Sequence, residues 1–201
     1  MGITPLQFRK LEDRLKTART AKPVNEGGLR PLARGHRMVL GVDPSLRGTG
    51  YGIIHGSRTA QALVTCGTIR CAAGWEHSRC LLAILQGLRD VLRQHKPEVC
   101  VVEGLFFAQN LQTAIVMGEA RGAALAAVAE AGLEIYEIAP RKVKQAIVGY
   151  GAAQKLAVAK MVQRMLNLPG VPEPDAADAL ALALTHAQEQ GRYSLTPPKR
   201  V

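Results

Sequence analysis

The sequence predicts an α/β chain whose mixed five-stranded sheet carries three antiparallel strands, then parallel ones, with helices on both faces. Three observations carry this. Short apolar runs punctuated by Gly and Pro follow one another between residues 38 and 69, with links too short for a crossover, which implies an antiparallel meander. Leu81, Leu85, Leu88 and Leu92 then repeat at helical spacing. After Pro97, strand and helical patterns alternate as far as Ile138, and helical stretches follow.

The organising stretch is MVLGVDPSLRGTGYGII, residues 38–54. Its first run, Met38 to Val42, reads as a buried strand that ends on Asp43, and Tyr51 to Ile54 reads as the second strand. The glycines between them read as a hairpin turn. Ala62 to Ile69 supplies a third strand, and a helix follows over residues 77–95. Glu98 to Glu103 is an apolar strand buried on both faces, again ending on a carboxylate. Residues 110–131 form a helix whose Gly118, Gly122, Ala123, Ala126 and Ala127 let another helix approach closely. Leu133 to Ile138 alternates as a fifth strand. Pro140 opens a basic helical stretch with Arg141, Lys142 and Lys144, broken at Gly149-Tyr150-Gly151. A helix over 154–167, a Pro-rich turn and a last helix from Asp175 to Gln190 complete the domain, 38–190.

The ends differ from this core. Residues 1–37 hold nine Lys/Arg against three Asp/Glu, so this segment supplies +6 of the net +10. It is expected to be a loosely ordered basic extension, with one helix over 4–19 and linker composition over 20–37. Residues 191–201, with Pro197-Pro198-Lys199-Arg200, read as a disordered tail. No run of eighteen apolar residues predicts a membrane span, and no apolar stretch near the start predicts a secretory signal. Cys66, Cys71, Cys80 and Cys100 lack metal-ligand spacing and read as buried thiols of a cytoplasmic protein. The basic balance favours a polyanionic partner.

Asp43 alone is as well explained by a turn cap as by chemistry. Glu103 changes that, because parallel neighbours that end on carboxylates bring them within roughly one strand spacing, about 4.8 Å. Asp175 and Asp178, at i and i+3, share one helix face. An N-cap role explains Asp175 but not Asp178, which sits among Ala176, Ala177, Ala179 and Leu180. Four crowded carboxylates in apolar surroundings need cations, and oxygen-only ligands point to Mg²⁺ or Mn²⁺. A basic protein with such a cluster is a candidate metal-dependent nuclease. The alternatives from other classes are an actin-like ATPase, with the glycines as a phosphate loop, and a non-catalytic binding module.

LGVDPSLRGTGYGII (40–54), VVEGLFFAQN (101–110), GEARGAALAA (118–127), APRKVKQAIVGYGAAQK (139–155) and DAADALALALTHA (175–187) together resemble the RuvC family of Holliday-junction resolvases. The resemblance implies a ribonuclease-H-like fold and Mg²⁺-dependent hydrolysis with two ions per site, Mn²⁺ substituting. It implies that Asp43, Glu103, Asp175 and Asp178 are catalytic metal ligands. Lys144 and Lys155 then act near the scissile phosphate, Phe106 inserts against bases, and Arg141 and Arg121 contact phosphate. Gln109 stands where relatives often have Lys. The implied partners are four-way junction DNA, a second copy in a homodimer, and the RuvA–RuvB branch-migration machinery, with no membrane. His186 reads as structural, and the resemblance says nothing about residues 1–37.

Overall fold

A computed structural model describes residues 35–57, 59–104, 110–190 and 199–201. Strands β1 (Met38–Asp43), β2 (Gly48–Ser57) and β3 (Ala60–Arg70) form the antiparallel meander. Helix α1 (His77–His95) leads to β4 (Val99–Glu103), and α2 (Leu111–Glu130) leads to β5 (Glu134–Ile138). Helices α3 (Pro140–Val148), α4 (Lys155–Met165) and α5 (Pro174–Glu189) follow, then a two-residue strand β6 (Lys199–Arg200). The sheet order is β3-β2-β1-β4-β5-β6, so β1 is central, antiparallel to β2 and parallel to β4. This matches the expected architecture with one addition. Lys199 and Arg200 pair with Glu137 and Tyr136, and Arg200 Nη2 lies 2.8 Å from Glu134 Oε1, so the end of the expected disordered tail is an edge strand. The helix expected over 4–19 and most of the tail fall outside the described residues.

Two apolar layers flank the sheet. Leu40, Val42, Ile53, Cys100 and Val102 face α1 and α2, where Ile84, Leu88, Ala120 and Ala124 meet them. Val39, Ile54, Val99, Val101 and Ile138 face α3, α4 and α5. This is the two-residue alternation of strands buried on both faces. Helix α5 is the most enclosed, with every residue from Ala179 to Ala187 buried. Its run of alanines and leucines is therefore apolar all round, as a fully covered helix requires.

The glycines after Asp43 have a different use from the one expected. Gly48, Gly50 and Gly52 lie within β2, and the turn is confined to Pro44–Arg47. A Cβ at Gly50 would stand 2.0 Å from the Asp175 carbonyl oxygen, and one at Gly41 would stand 1.9 Å from that of Ala179. The first turns of α5 rest directly on the backbone of β1 and β2. Sequence pattern registers glycine as a turn signal, whereas here the missing side chain makes room for a helix. The four cysteines are free thiols, three of them buried and Cys66 half-buried. No helix among the described residues is long and apolar enough to cross a membrane.

Because those contacts are with backbone, neither partner can rotate away. Gly50→Ala and Gly41→Ala should each destabilise the fold by about 3 kcal/mol or more, the upper range for overpacking. Thermal unfolding should show a loss of roughly 6–12 °C for each variant.

Candidate active site

Val42 stands beside Val102 in the parallel pairing of β1 with β4, so the next residues, Asp43 and Glu103, end their strands side by side. Val39 and Val99 both belong to the α5 layer, and alternation turns Asp43 and Glu103 to that same face. Helix α5 begins over this rim. Its N-cap is Glu173 and Pro174 occupies its first turn, which suits a residue without an amide hydrogen. Asp175 is thus an acid inside the first turn and not the cap, and a negative charge there is favoured by the helix dipole. Asp178 follows one turn later. Lys155, the first residue of α4, donates from Nζ to Asp178 Oδ2 at 2.7 Å.

The turn carrying Asp43 is tied down locally. Thr49, fully buried, donates from Oγ1 to the Ser45 carbonyl at 2.8 Å and accepts from the Ser45 amide at 3.2 Å. The loop after β3 is fastened to the same turn, because Arg47 Nη1 donates to the carbonyls of Ala72 and Trp75 at 2.6 and 3.1 Å. Arg70 Nη2 holds Glu173 Oε2 at 2.7 Å and so pins the start of α5 to the end of β3.

The four acids share one electrostatic field. Burial, then Glu103, Asp178 and Asp175, push the Asp43 carboxyl from its ordinary 3.8 up to about 7, against a lowering by Lys155. Burial and then Asp178 raise Glu103, while Lys155, Lys144 and Arg121 pull it down. Lys155 is held above the ordinary lysine range first by its hydrogen bond to Asp178, with attraction from Asp178, Asp43 and Glu103 against desolvation. One ammonium thus partly offsets a four-carboxylate cluster.

These residues fit a divalent cation by donor chemistry: all are carboxylate oxygens, and their mutual repulsion is what such an ion relieves. The fit concerns donors and not a finished cage. Among the described residues, no three His, Cys, Asp or Glu side chains already converge on one point, and Lys155 holds Asp178 instead.

The other expected site residues divide. Lys144, on α3, is near enough to lower Glu103. Arg141 is exposed, with its stem over Gly151. Arg121 is a correction: it is buried, Nη1 donates to the Glu103 carbonyl, and Nη2 donates to Glu137 Oε2 at 2.6 Å. Its guanidinium serves the protein interior, where a phosphate contact had been expected. Phe106 and Gln109 lie outside the described residues. His186 is buried and stacks on His36 with ring centroids 5.5 Å apart, as a structural histidine should. Sequence reading missed Glu137 and Glu173. The alternation of Glu134-Ile135-Tyr136-Glu137-Ile138 was the one available sign of Glu137, since it puts an acid on an inward face of β5.

The chain is similar to known proteins in both sequence and fold. A family model described as crossover junction endodeoxyribonuclease RuvC matches residues 39–186. The RuvC of Akkermansia muciniphila is 45% identical over 148 residues, 74% of this chain and 89% of the relative. That of Natranaerobius thermophilus is 41% identical over 152 residues, 75% and 94% of the two chains. Among solved structures, T. thermophilus RuvC in complex with Holliday junction substrate superposes with a TM-score of 0.71 at 36% identity, covering 76% of this chain and 93% of that one. A yeast mitochondrial Holliday junction resolvase superposes with a TM-score of 0.55 at 11% identity, over 80% and 83% of the chains, a likeness of fold alone.

The raised Asp43 carboxyl has a signed consequence for stability. A group that holds its proton more tightly when folded stabilises the protein fully below about pH 4, and that contribution drains away up to about pH 7. Asp43→Asn has no such proton to lose. In EDTA, its stability relative to wild type should therefore rise by a few kcal/mol between pH 4 and 7 and then level off. Denaturant titrations at several pH values would check this, and a constant difference would contradict it.

Proposed function

This chain belongs to the RuvC family of crossover junction endodeoxyribonucleases, and we propose that it resolves four-way DNA junctions by paired, symmetric phosphodiester hydrolysis during recombination and repair. The observation that carries the reading is the gathering of Asp43, Glu103, Asp175 and Asp178 at one rim of the sheet. These four would hold Mg²⁺, two ions per site, with Mn²⁺ as a substitute. Such ions, when bound, supply an activated water and stabilise the leaving oxygen.

The chain's own residues do the rest. Asp43 and Glu103 sit on strand ends and give the site a rigid floor, while Asp175 and Asp178 close it from the first turns of α5. Lys155 and Lys144 stand on the flank formed by α4 and α3, where an ammonium can bind a non-bridging phosphate oxygen and orient the strand. Lys155 is already salt-bridged to Asp178, so it keeps part of the site's negative charge in balance before substrate arrives. Arg141, exposed on α3, extends this basic flank along the backbone. Phe106, a few residues beyond Glu103, is the aromatic for unstacking bases at the junction.

A two-fold substrate calls for a two-fold enzyme. The outer face of α2 supports a homodimer: Leu111 is 77% and Ile115 48% exposed, and Cβ atoms added at Gly118 or Gly122 would meet nothing. RuvA and RuvB are the partners such a resolvase would work with. The free cysteines fit the reducing cytoplasm. The reading of the glycines as an ATPase phosphate loop loses its support, because they lie in β2 beneath α5.

Asp43→Asn, Glu103→Gln and Asp178→Asn should each lower the Mg²⁺-dependent cleavage of a synthetic four-way junction by about a thousandfold or more. Binding measured in EDTA should persist, and should weaken with added salt. Cleavage at the wild-type rate by any of the three would contradict the mechanism.

A further inference from the structure

Glu103 is the last residue of β4, and its main-chain carbonyl has no donor in the sheet. The Gly104 amide donates to the Ile138 carbonyl at 2.9 Å, so even-numbered residues at this end of β4 bond towards β5. Successive residues of a strand turn their amides and carbonyls to opposite neighbours, and Glu103 therefore faces β1. With Val42 beside Val102, the amide that would complete the ladder at the Glu103 carbonyl belongs to residue 44. That residue is Pro44, which has no amide hydrogen. Arg121 supplies the missing donor from α2, on the opposite face from the acids.

The supply is well secured. The Arg121 side chain is 11% exposed and that of Glu137 is 19% exposed, with Nη2 and Oε2 2.6 Å apart. Glu137 lies beside Val102 across the β4–β5 pairing, and alternation with Ile135 puts it on the α2 face. A guanidinium can reach a carbonyl and a carboxylate at once with fixed geometry, which an ammonium cannot.

We propose that Arg121 is a positioning residue for Glu103, a donor that replaces the ladder bond lost to Pro44 and is itself held by Glu137. This rests on Glu103 as a metal-holding acid, as argued above. Pro44 is useful at the end of β1, because it turns the chain sharply away just after Asp43. The same proline leaves the last peptide of β4 anchored on the β5 side alone. Without Arg121 that peptide can tilt, and the Glu103 carboxylate tilts with it, while the surfaces that meet DNA stay as they are.

The test compares Arg121→Lys, Arg121→Met and Glu137→Gln with wild type by three measurements. These are the single-turnover rate of junction cleavage in Mg²⁺, junction affinity in EDTA, and the Mg²⁺ concentration at the midpoint of the thermal shift of DNA-free protein. Cleavage should fall about 10–100-fold in the arginine variants, the range for residues that orient metal ligands, and less in Glu137→Gln. The Mg²⁺ midpoint should rise, and junction affinity should stay within about twofold. Pro44→Ala in the Arg121→Met background restores an amide at position 44 and should recover part of the lost rate. Arg121→Lys with the wild-type rate and Mg²⁺ midpoint would overturn the proposal, as would losses of rate matched by equal losses of junction affinity. If Arg121→Met fails to fold, Arg121→Lys and Glu137→Gln decide alone. Should wild-type protein leave the junction intact, the functional reading itself falls, and the Mg²⁺ midpoints still decide whether Arg121 positions Glu103.

Discussion

The contact on which the rest depends is backbone against backbone, where α5 lies on β1 and β2. An ordinary helix on a sheet stands off by the length of the side chains between them. Here Gly41 and Gly50 remove those side chains, and the helix settles until its own carbonyl oxygens occupy the space, while the Leu180 side chain fills that over Gly52. That depth is what carries Asp175 and Asp178 to Asp43. A helix held a methyl group higher would carry both aspartates away from the strand-end acids. The arrangement also explains why α5 is built largely from Ala and Leu: a helix seated so low is surrounded, and a polar side chain there needs a partner inside the protein, as Thr185 Oγ1 has in the Ala181 carbonyl at 2.7 Å.

Such a seat works against the electrostatics it creates. Every carboxylate brought in raises the cost of ionising the next, and burial enlarges the effect by removing water. The fold meets this by mechanical means, since each acid stands on an element anchored elsewhere. Asp43 and Glu103 end central strands, Asp175 follows a cap pinned by Arg70 through Glu173, and Lys155 brings one positive charge from α4. Packing energy gathered over the whole of α5 thus holds a cluster that would disperse if its residues were on loops. This is the order expected of a site preorganised to take charge that arrives later.

The gathering of the four acids was legible in the sequence because the signals are local. A carboxylate at the end of an apolar run, or a pair at i and i+3 on an apolar helix, can be recognised without knowing what lies opposite. The antiparallel meander of the first three strands followed from link lengths for the same reason. Misread features were those whose meaning lies across the fold. Gly48 and Gly50 look like a turn until α5 is laid on them. Arg121 sits among small residues on α2, and nothing nearby in sequence reveals that it points inward to Glu137, sixteen positions on. Lys199 and Arg200 resemble a tail because a two-residue strand has no periodicity to detect. The N-cap of α5 was placed one or two residues late, since an Asp before an apolar run is a stronger cue than Glu173 before a proline.

The far end of α5 is fixed by different chemistry. His186 packs against both His36 and Tyr136, with centroids 5.5 and 5.3 Å away, and its Nε2 is 3.3 Å from His36 Nδ1. Burial, then the neighbouring His36, lower it from 6.5 to about 4. The sign here is opposite to that of Asp43. An unfolded chain protonates His186 below about pH 6.5 while the folded chain resists, so its contribution to stability grows as pH rises from 4 to 6.5. Asp43 loses its contribution over nearly the same interval. The contributions of Asp43 and His186 therefore oppose each other over this interval. A flat profile in wild type would thus be no sign that the carboxylates are relaxed, and only the difference between variant and wild type isolates the strain at Asp43.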